Sequence, residues 1–554
     1  MRLRLISAAI VLILLAAGLL QLRPPACKDD PGPTEFSCER ALSHVKAIAT
    51  VPHPADSPAN VAARLYLLDQ MRHLGLSPRE QVSRAATQGR LHTMHNLIGR
   101  LPGTAPGPAL MLACHYDSVP YGPGAGDDGA AVGALLEVVR AIRAGPPLRN
   151  ELILLITDGE ELGLFGARGL AEDDPLLNDV GLALNFDARG TAGPSELFET
   201  SPGNEDLVRV FASAAPAPTG TSLAYDIYRR MPNDTDFTIF KRAGIRGLNF
   251  AFIDNYVYYH TPQDTVANLD RRTLNQTGGY ALSLTRAFGN ADLAAIQHRK
   301  AKDAIFFNLI GRSMIVYPMG WIWPITFVLC MLTLAGLIFG FARKQISILG
   351  LIESLLRLVL SIAAGAGATW AIWRLASKAL DRGWLASTQG FILRPSPTPT
   401  EITILVTAFA IITIVTTLLF AYGGHWRARE PDLAAAGAIA WTGAAIAATA
   451  LLPGGSYLAA WPAIFAMIGR LLIEIPAIEM IPWRRAVIAL IASAPAILML
   501  PPSIVTFFTA LTVAKGFVVA PLIVMTIWLL MTGGCVDLIV TGPKRESKVT
   551  ESAV

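Results

Sequence analysis

Cys114-His115-Tyr116-Asp117-Ser118-Val119-Pro120-Tyr121-Gly122-Pro123-Gly124-Ala125-Gly126-Asp127-Asp128 is the stretch on which the reading of the fold turns. The apolar run before it, Ala109 to Ala113, is too short for a helix and reads as a buried strand. That strand stops on His115, and a Gly/Pro-rich loop then carries Asp127 and Asp128 to the start of a helical pattern. Strand carboxyl ends are where open α/β sheets build their sites. The His-x-Asp spacing leaves His115 and Asp117 on one face, so Asp117 can accept the second N–H of His115 and fix its tautomer.

Working outward, strands and helices alternate from Thr34 to about Gly289. Helical spacing is expected over 56–75, 129–144, 163–172, 235–243 and 271–288, with strands over 96–101, 109–115, 151–157, 181–186 and 248–253. The helix 129–144 ends at Gly145-Pro146-Pro147. This alternation predicts an α/β domain, 34–295, with a mostly parallel sheet flanked by helices.

The flanks differ in composition. Met1-Arg2-Leu3-Arg4 precedes an apolar run to about Leu22, which reads as an anchor helix, residues 1–23, that stays uncleaved. Beyond the domain, long Leu, Ile, Ala and Val runs raise the mean hydropathy to +0.44. They predict an all-α membrane domain, 314–541, of about seven spans at 317–341, 354–376, 401–422, 432–452, 456–475, 486–504 and 515–540. Pro501-Pro502 and Pro453-Gly454-Gly455 read as breaks.

With the N-terminus inside, Arg343-Lys344, Arg427 with Arg429, Arg484-Arg485 and Lys544-Arg545 fall on the cytoplasmic side, while Arg374 to Arg382 runs against the pattern. That puts a short tail, 542–554, in the cytoplasm and the α/β domain in the periplasm or an organelle lumen. Glu353, Arg357, Arg470 and Glu474 sit near span ends, where they can snorkel.

The net charge of +4 comes from scattered Lys and Arg, with no basic stripe or aromatic platform, which argues against nucleic acid as a partner. Five cysteines make no disulfide framework; Cys27 and Cys38 are the one close pair that could join on an oxidising side. Cys114 faces away from His115 and, like Cys330 and Cys535, reads as packing. Oligomeric state is left open.

Three further strand ends repeat the theme of the first. Thr157-Asp158-Gly159-Glu160-Glu161-Leu162-Gly163 follows an apolar strand, as does Asn185-Phe186-Asp187-Ala188-Arg189-Gly190, and His260 lies in Tyr258-Tyr259-His260-Thr261-Pro262-Gln263-Asp264-Thr265. Two imidazoles with this many carboxylates suit Zn²⁺, or less often Mn²⁺ or Co²⁺, as two ions sharing a bridging carboxylate. Such a pair would serve hydrolysis.

The ordered set over about 40–290 resembles the co-catalytic zinc aminopeptidases of the M28 type. The resemblance implies that Asp127 bridges two zinc ions, with His115 and Asp187 completing one site and Glu161 and His260 the other. Glu160 would be the general base toward the attacking water, Asp117 would orient His115, and the Asp127–Asp128 peptide would be cis. Many members carry Ser-Asp-His where this chain has Asp234-Thr235-Asp236, which puts Asp236, with Tyr259, forward for substrate binding. An anchor helix and a multi-span half look like the endoplasmic-reticulum and vacuolar membrane branch. The reading is therefore a membrane-anchored exopeptidase whose partners are a peptide substrate and membrane lipid. Alternatives are a receptor or scaffold on an inactive peptidase fold, an accessory domain to a transporter, or a one-zinc cyclase of N-terminal glutamine.

Overall fold

The computed structural model describes residues 2–87, 89–309, 313–379, 398–423 and 428–540. The tail 542–554 lies outside the described residues. Two compact units emerge: an α/β unit within Gln21–Met319, and a helical unit that joins α1 (Arg2–Leu20) to the helices after Gly320.

In chain order the α/β unit contains α2 (Cys38–Ile48), α3 (Pro58–His73), β1 (Arg79–Thr87), β2 (Arg90–Leu101), β3 (Ala109–His115), α4 (Ala130–Arg143), β4 (Leu152–Thr157), α5 (Phe165–Asp173), β5 (Val180–Ala188) and β6 (Glu196–Thr200). It continues with α6 (Glu205–Ala214), α7 (Ser222–Tyr228), α8 (Asp236–Arg242), β7 (Gly247–Phe252), α9 (Arg271–Gly289), α10 (Leu293–His298) and a separate hairpin, β8 (Ala304–Asn308) and β9 (Met314–Pro318). The main sheet runs β1-β2-β4-β3-β5-β7-β6. Its centre, β4-β3-β5-β7, is parallel, as the apolar runs predict; β1, β2 and β6 add antiparallel edges.

Every residue of β3 and β4 is buried, which is what helices on both faces of a parallel sheet require. The parallel register sets His115 beside Thr157, so the loops leaving β3, β4, β5 and β7 open on one edge. All the candidate ligands follow from that one fact of topology.

Two edge strands escape hydrophobic patterning for a shared reason. The inward positions of the β1–β2 ribbon include Gln81 and Asn96, with Asn96 Nδ2 donating to Gln81 Oε1 at 2.6 Å. In β6 the buried residues include Glu199, which accepts Asn249 Nδ2 at 2.8 Å and pairs with Lys241. Buried polar groups that satisfy one another fold as strands without looking apolar. Cys27 and Cys38 are joined by a disulfide, and Cys114 is buried.

The helical unit adds α11 (Ile322–Ala342), α12 (Ile348–Ala379), α13 (Pro399–Tyr422), α14 (Glu430–Leu451), α15 (Ser456–Ile473), α16 (Pro476–Glu479), α17 (Pro482–Leu511), α18 (Gly516–Thr532) and α19 (Cys535–Val540). Eight described helices, α1 among them, are long and apolar enough to cross a membrane. Pro453-Gly454-Gly455 does interrupt the chain, between α14 and α15.

Pro501-Pro502 does not: α17 runs through both prolines. They withhold the amides that would reach the carbonyls of Ile497 and Leu498. A Cβ on Gly18 of α1 would lie 3.4 and 3.1 Å from those two carbonyl oxygens. Glycine thus lets α1 pack directly on the proline-altered turn, where Cα–H can face C=O. The expected span 515–540 also divides, because Gly534 at φ 78° closes α18 before α19 begins.

The expected snorkelling is overturned for Arg357. Only 3% exposed, it donates to the Ala421 carbonyl at 2.7 Å and to Glu353 at 2.8 Å, because the end of α13 offers an acceptor inside the bundle.

Candidate metal centre

His115 ends β3 with its ring buried. The loop beyond it turns back through Ala125–Gly129 and presents Asp127 across a cis Asp127–Asp128 peptide, as the resemblance implies. The two carboxylate oxygens of Asp127 then face different histidines. Oδ1 lies 3.1 Å from His115 Nε2, and Oδ2 lies 3.2 Å from His260 Nε2.

Asp187, near the end of β5, comes within 3.9 Å of His115 Nε2; Glu161, after β4, reaches 3.0 Å from His260 Nε2. The result is two triads, His115–Asp127–Asp187 and Asp127–Glu161–His260, each with donor atoms within 4.8 Å of one another. Asp127 belongs to both.

Asp117 does more than the strand argument expects of it. His115 Nδ1 sits 3.0 Å from the Asp117 main-chain oxygen and 3.4 Å from its carboxylate. The carboxylate oxygens accept the amides of Glu160 at 3.1 Å and Glu161 at 3.2 Å. One residue therefore holds both the His115 ring and the loop of the paired glutamates.

Glu160 is half-buried beside this group. Tyr259 stacks on the His260 ring at 3.7 Å between centroids. Asp236 is brought close but differs from the sequence expectation: it is 3% exposed, with Oδ2 against the Thr157 hydroxyl. The first residue of α8, it points in toward the end of β4.

Two supports lie outside the sequence-stated set. Asp264 binds the backbone before Asp127. Asp158, fully buried, accepts Asn60 Nδ2 at 3.1 Å and the His95 amide at 2.9 Å, which anchors the base of the glutamate loop to α3 and β2. Asp264 stands inside a motif the sequence singles out. Asn60 carries no signal in sequence, because only the fold brings it to β4.

The protonation balance is that of a site built for positive charge. Burial raises the Glu161 carboxyl to about 8, reinforced by the charge of Asp127, and raises Asp187 to about 7. Glu160 is pushed up by burial and by Asp187, Glu161 and Asp236. Burial opposes ionisation of Asp127 too, yet hydrogen bonds from His115 and His260 hold it below the usual carboxylate range. Burial alone would lower His260, but the charge of Glu161 and the bonds to Asp127 and Glu161 lift it to about 10.

Each imidazole is thus drawn to keep a proton facing the carboxylates, the electrostatic role that a divalent cation takes over when bound. Glu161 Oε1 is buried with no hydrogen-bond donor among the described residues. Nitrogen and carboxylate donors of this kind fit zinc.

Residues 96–285 match Peptidase family M28. Over those residues the chain is similar to that family. Over 215 residues it is 32% identical to endoplasmic reticulum metallopeptidase 1 of Rattus norvegicus, covering 38% of this chain and 24% of that protein. It is 32% identical over 242 residues to a vacuolar membrane protease of Candida albicans, covering 43% and 28%. The chain spans about a quarter of the length of these curated relatives. An aminopeptidase from Aneurinibacillus sp. strain AM-1 aligns with 46% of this chain and 95% of its own at 14% identity and a TM-score of 0.40. Both loops of paired acids and both histidines lie within the M28 match.

Proposed function

We propose that the protein is a membrane-anchored, two-zinc exopeptidase, an aminopeptidase acting on peptides on the non-cytoplasmic side. The observation that carries the reading is Asp127, one carboxylate turned to two donor triads. His115, Asp127 and Asp187 would hold one ion, and Asp127, Glu161 and His260 the other. Two zinc ions bound there would polarise the scissile carbonyl and make the attacking water more acidic.

The chain's own residues do the rest. Glu160 accepts a proton from the attacking water and delivers it to the leaving amine. Its raised proton affinity suits a group that must hold that proton between the two steps. Asp117, through the amides of Glu160 and Glu161, keeps base and ligand in one frame. Tyr259, stacked on His260, would contact substrate, and Asp236, bound to Thr157 at the end of β4, would act from beneath the site.

For the membrane assignment, the support is eight membrane-length helices, α1 packed as one of them, and the basic residues at Arg2 and Arg4. The Cys27–Cys38 disulfide favours an oxidising compartment for the α/β unit. The test is the full chain, purified in detergent and assayed for bound zinc and for amino acids released from a mixed peptide library. Near two zinc ions with chelator-sensitive release of N-terminal residues is expected. A folded chain that takes up no zinc contradicts the reading.

A further inference from the structure

We propose that Asp264 is a positioning residue that fixes the shared ligand Asp127 and thereby sets the affinity of both metal sites at once. This inference rests on the two-zinc reading above. Asp264 is 2% exposed and closes a turn with Thr261, its amide donating to the Thr261 carbonyl at 3.1 Å. From there it receives three successive amides of the opposite loop. Oδ1 accepts Gly126 N–H at 2.6 Å, Oδ2 accepts Asp127 N–H at 3.2 Å, and its main-chain oxygen accepts Ala125 N–H at 3.2 Å.

A capping or turn aspartate ordinarily takes one or two amides of its own loop. Here the partners lie 137 to 138 residues away in sequence, on the segment that ends in the bridging carboxylate. Four residues before Asp264 in its own loop is His260, so one loop supplies a ligand and fixes the ligand shared with the neighbouring triad.

The clamp has a second jaw. A Cβ on Gly126 would come within 2.3 Å of the Gly190 carbonyl, in the loop that follows Asp187, and 3.0 Å from Asp264 Oδ1. Ala125–Asp127 is therefore held between the His260 loop and the Asp187 loop. Ligand-supporting carboxylates of this sort orient the donor and raise its basicity. An asparagine at 264 keeps the shape but turns an N–H₂ toward an N–H, so it loses one amide and the charge together.

The experiment is zinc titration of the metal-free full chain against a competing chelator, for wild type, Asp264→Asn and Gly126→Ala. Both variants are expected to bind zinc about 10- to 100-fold more weakly at both sites. Asp264→Asn should lower the metal-free melting temperature only modestly, as expected for one buried amide left unpaired, and its folded fraction should still bind zinc weakly. A purely structural Asp264 would give a different pattern: metal-free melting falls and the folded fraction keeps wild-type zinc affinity. That result overturns the proposal. Gly126→Ala probes the clamp from its other jaw, so the proposal also fails if both variants fold and bind zinc normally. Wild type that binds no zinc removes the two-zinc reading and this inference with it, an outcome distinct from the first.

Discussion

At the strand ends of the α/β unit, Asp127, Asp187, Glu160, Glu161 and Asp236 crowd around His115 and His260, and several of the acids are driven toward their neutral forms. In the helical unit the buried and half-buried ionisable groups answer one another. Arg470 lies between Glu430 and Glu474, at 2.9 Å from the latter. Asp537 accepts the Tyr422 hydroxyl at 2.6 Å, and Asp432 accepts the amides of Ser347 and Arg429, each at 2.8 Å. Burying a charge is costly unless it is paired. The helical unit meets that requirement from its own side chains and backbone, whereas the α/β unit leaves an excess of negative charge. The excess marks a site suited to a cation, and the closed pairs leave no such excess.

The largest effect should come from the excess side. Glu160→Gln is expected to keep its zinc and lose about 10²- to 10⁴-fold in turnover, read as kcat at full metal occupancy. Unchanged turnover would remove Glu160 from the chemistry. On the closed side, Arg470→Met strands two half-buried carboxylates and should destabilise the helical unit by about 1–3 kcal/mol, followed by detergent denaturation. The triple variant that also carries Glu430→Gln and Glu474→Gln should recover most of that loss. If Arg470→Met costs nothing, the contrast between the units is weaker than drawn.

A smaller effect sharpens the comparison inside the α/β unit. Glu196, on β6, is raised to about 7 by burial and by the charge of Asp254, away from both triads. Its folded value exceeds its unfolded one, so its contribution to stability is fully present at low pH and lost as pH rises through about 7. Glu196→Gln should therefore raise the melting temperature at pH 8 and leave it unchanged at pH 4. Added zinc should not alter that difference. The smallest expected change is Thr326→Val, which removes a 2.7 Å hydroxyl bond to Thr449 between α11 and α14. About 0.6 kcal/mol is typical of such bonds in membrane bundles.

What the sequence disclosed follows the same division. β3, β4 and β5 are continuous apolar runs that stop on or just before an ionisable residue, so their ends announced both the sheet and the ligands. The spans of the helical unit were legible by length and hydropathy for a similar reason. Hidden features depend on partners remote in sequence. Gln81, Ser83 and Asn96 look like surface residues until β1 and β2 pair. Pro501-Pro502 looks like a break until Gly18 packs on that turn. The contact of Asp236 with Thr157 is seen only once α8 is in place. Asp264 sits in a visible motif, but its partners are known only once the Ala125–Asp127 turn is in place.

The central claim is that one carboxylate serves two cations, and counting zinc per folded chain in single-ligand variants tests it most directly. The account predicts about two zinc ions in wild type, about one in His260→Ala, and essentially none in Asp127→Ala. An Asp127→Ala chain that still holds two, or one that loses no more than His260→Ala does, would contradict it.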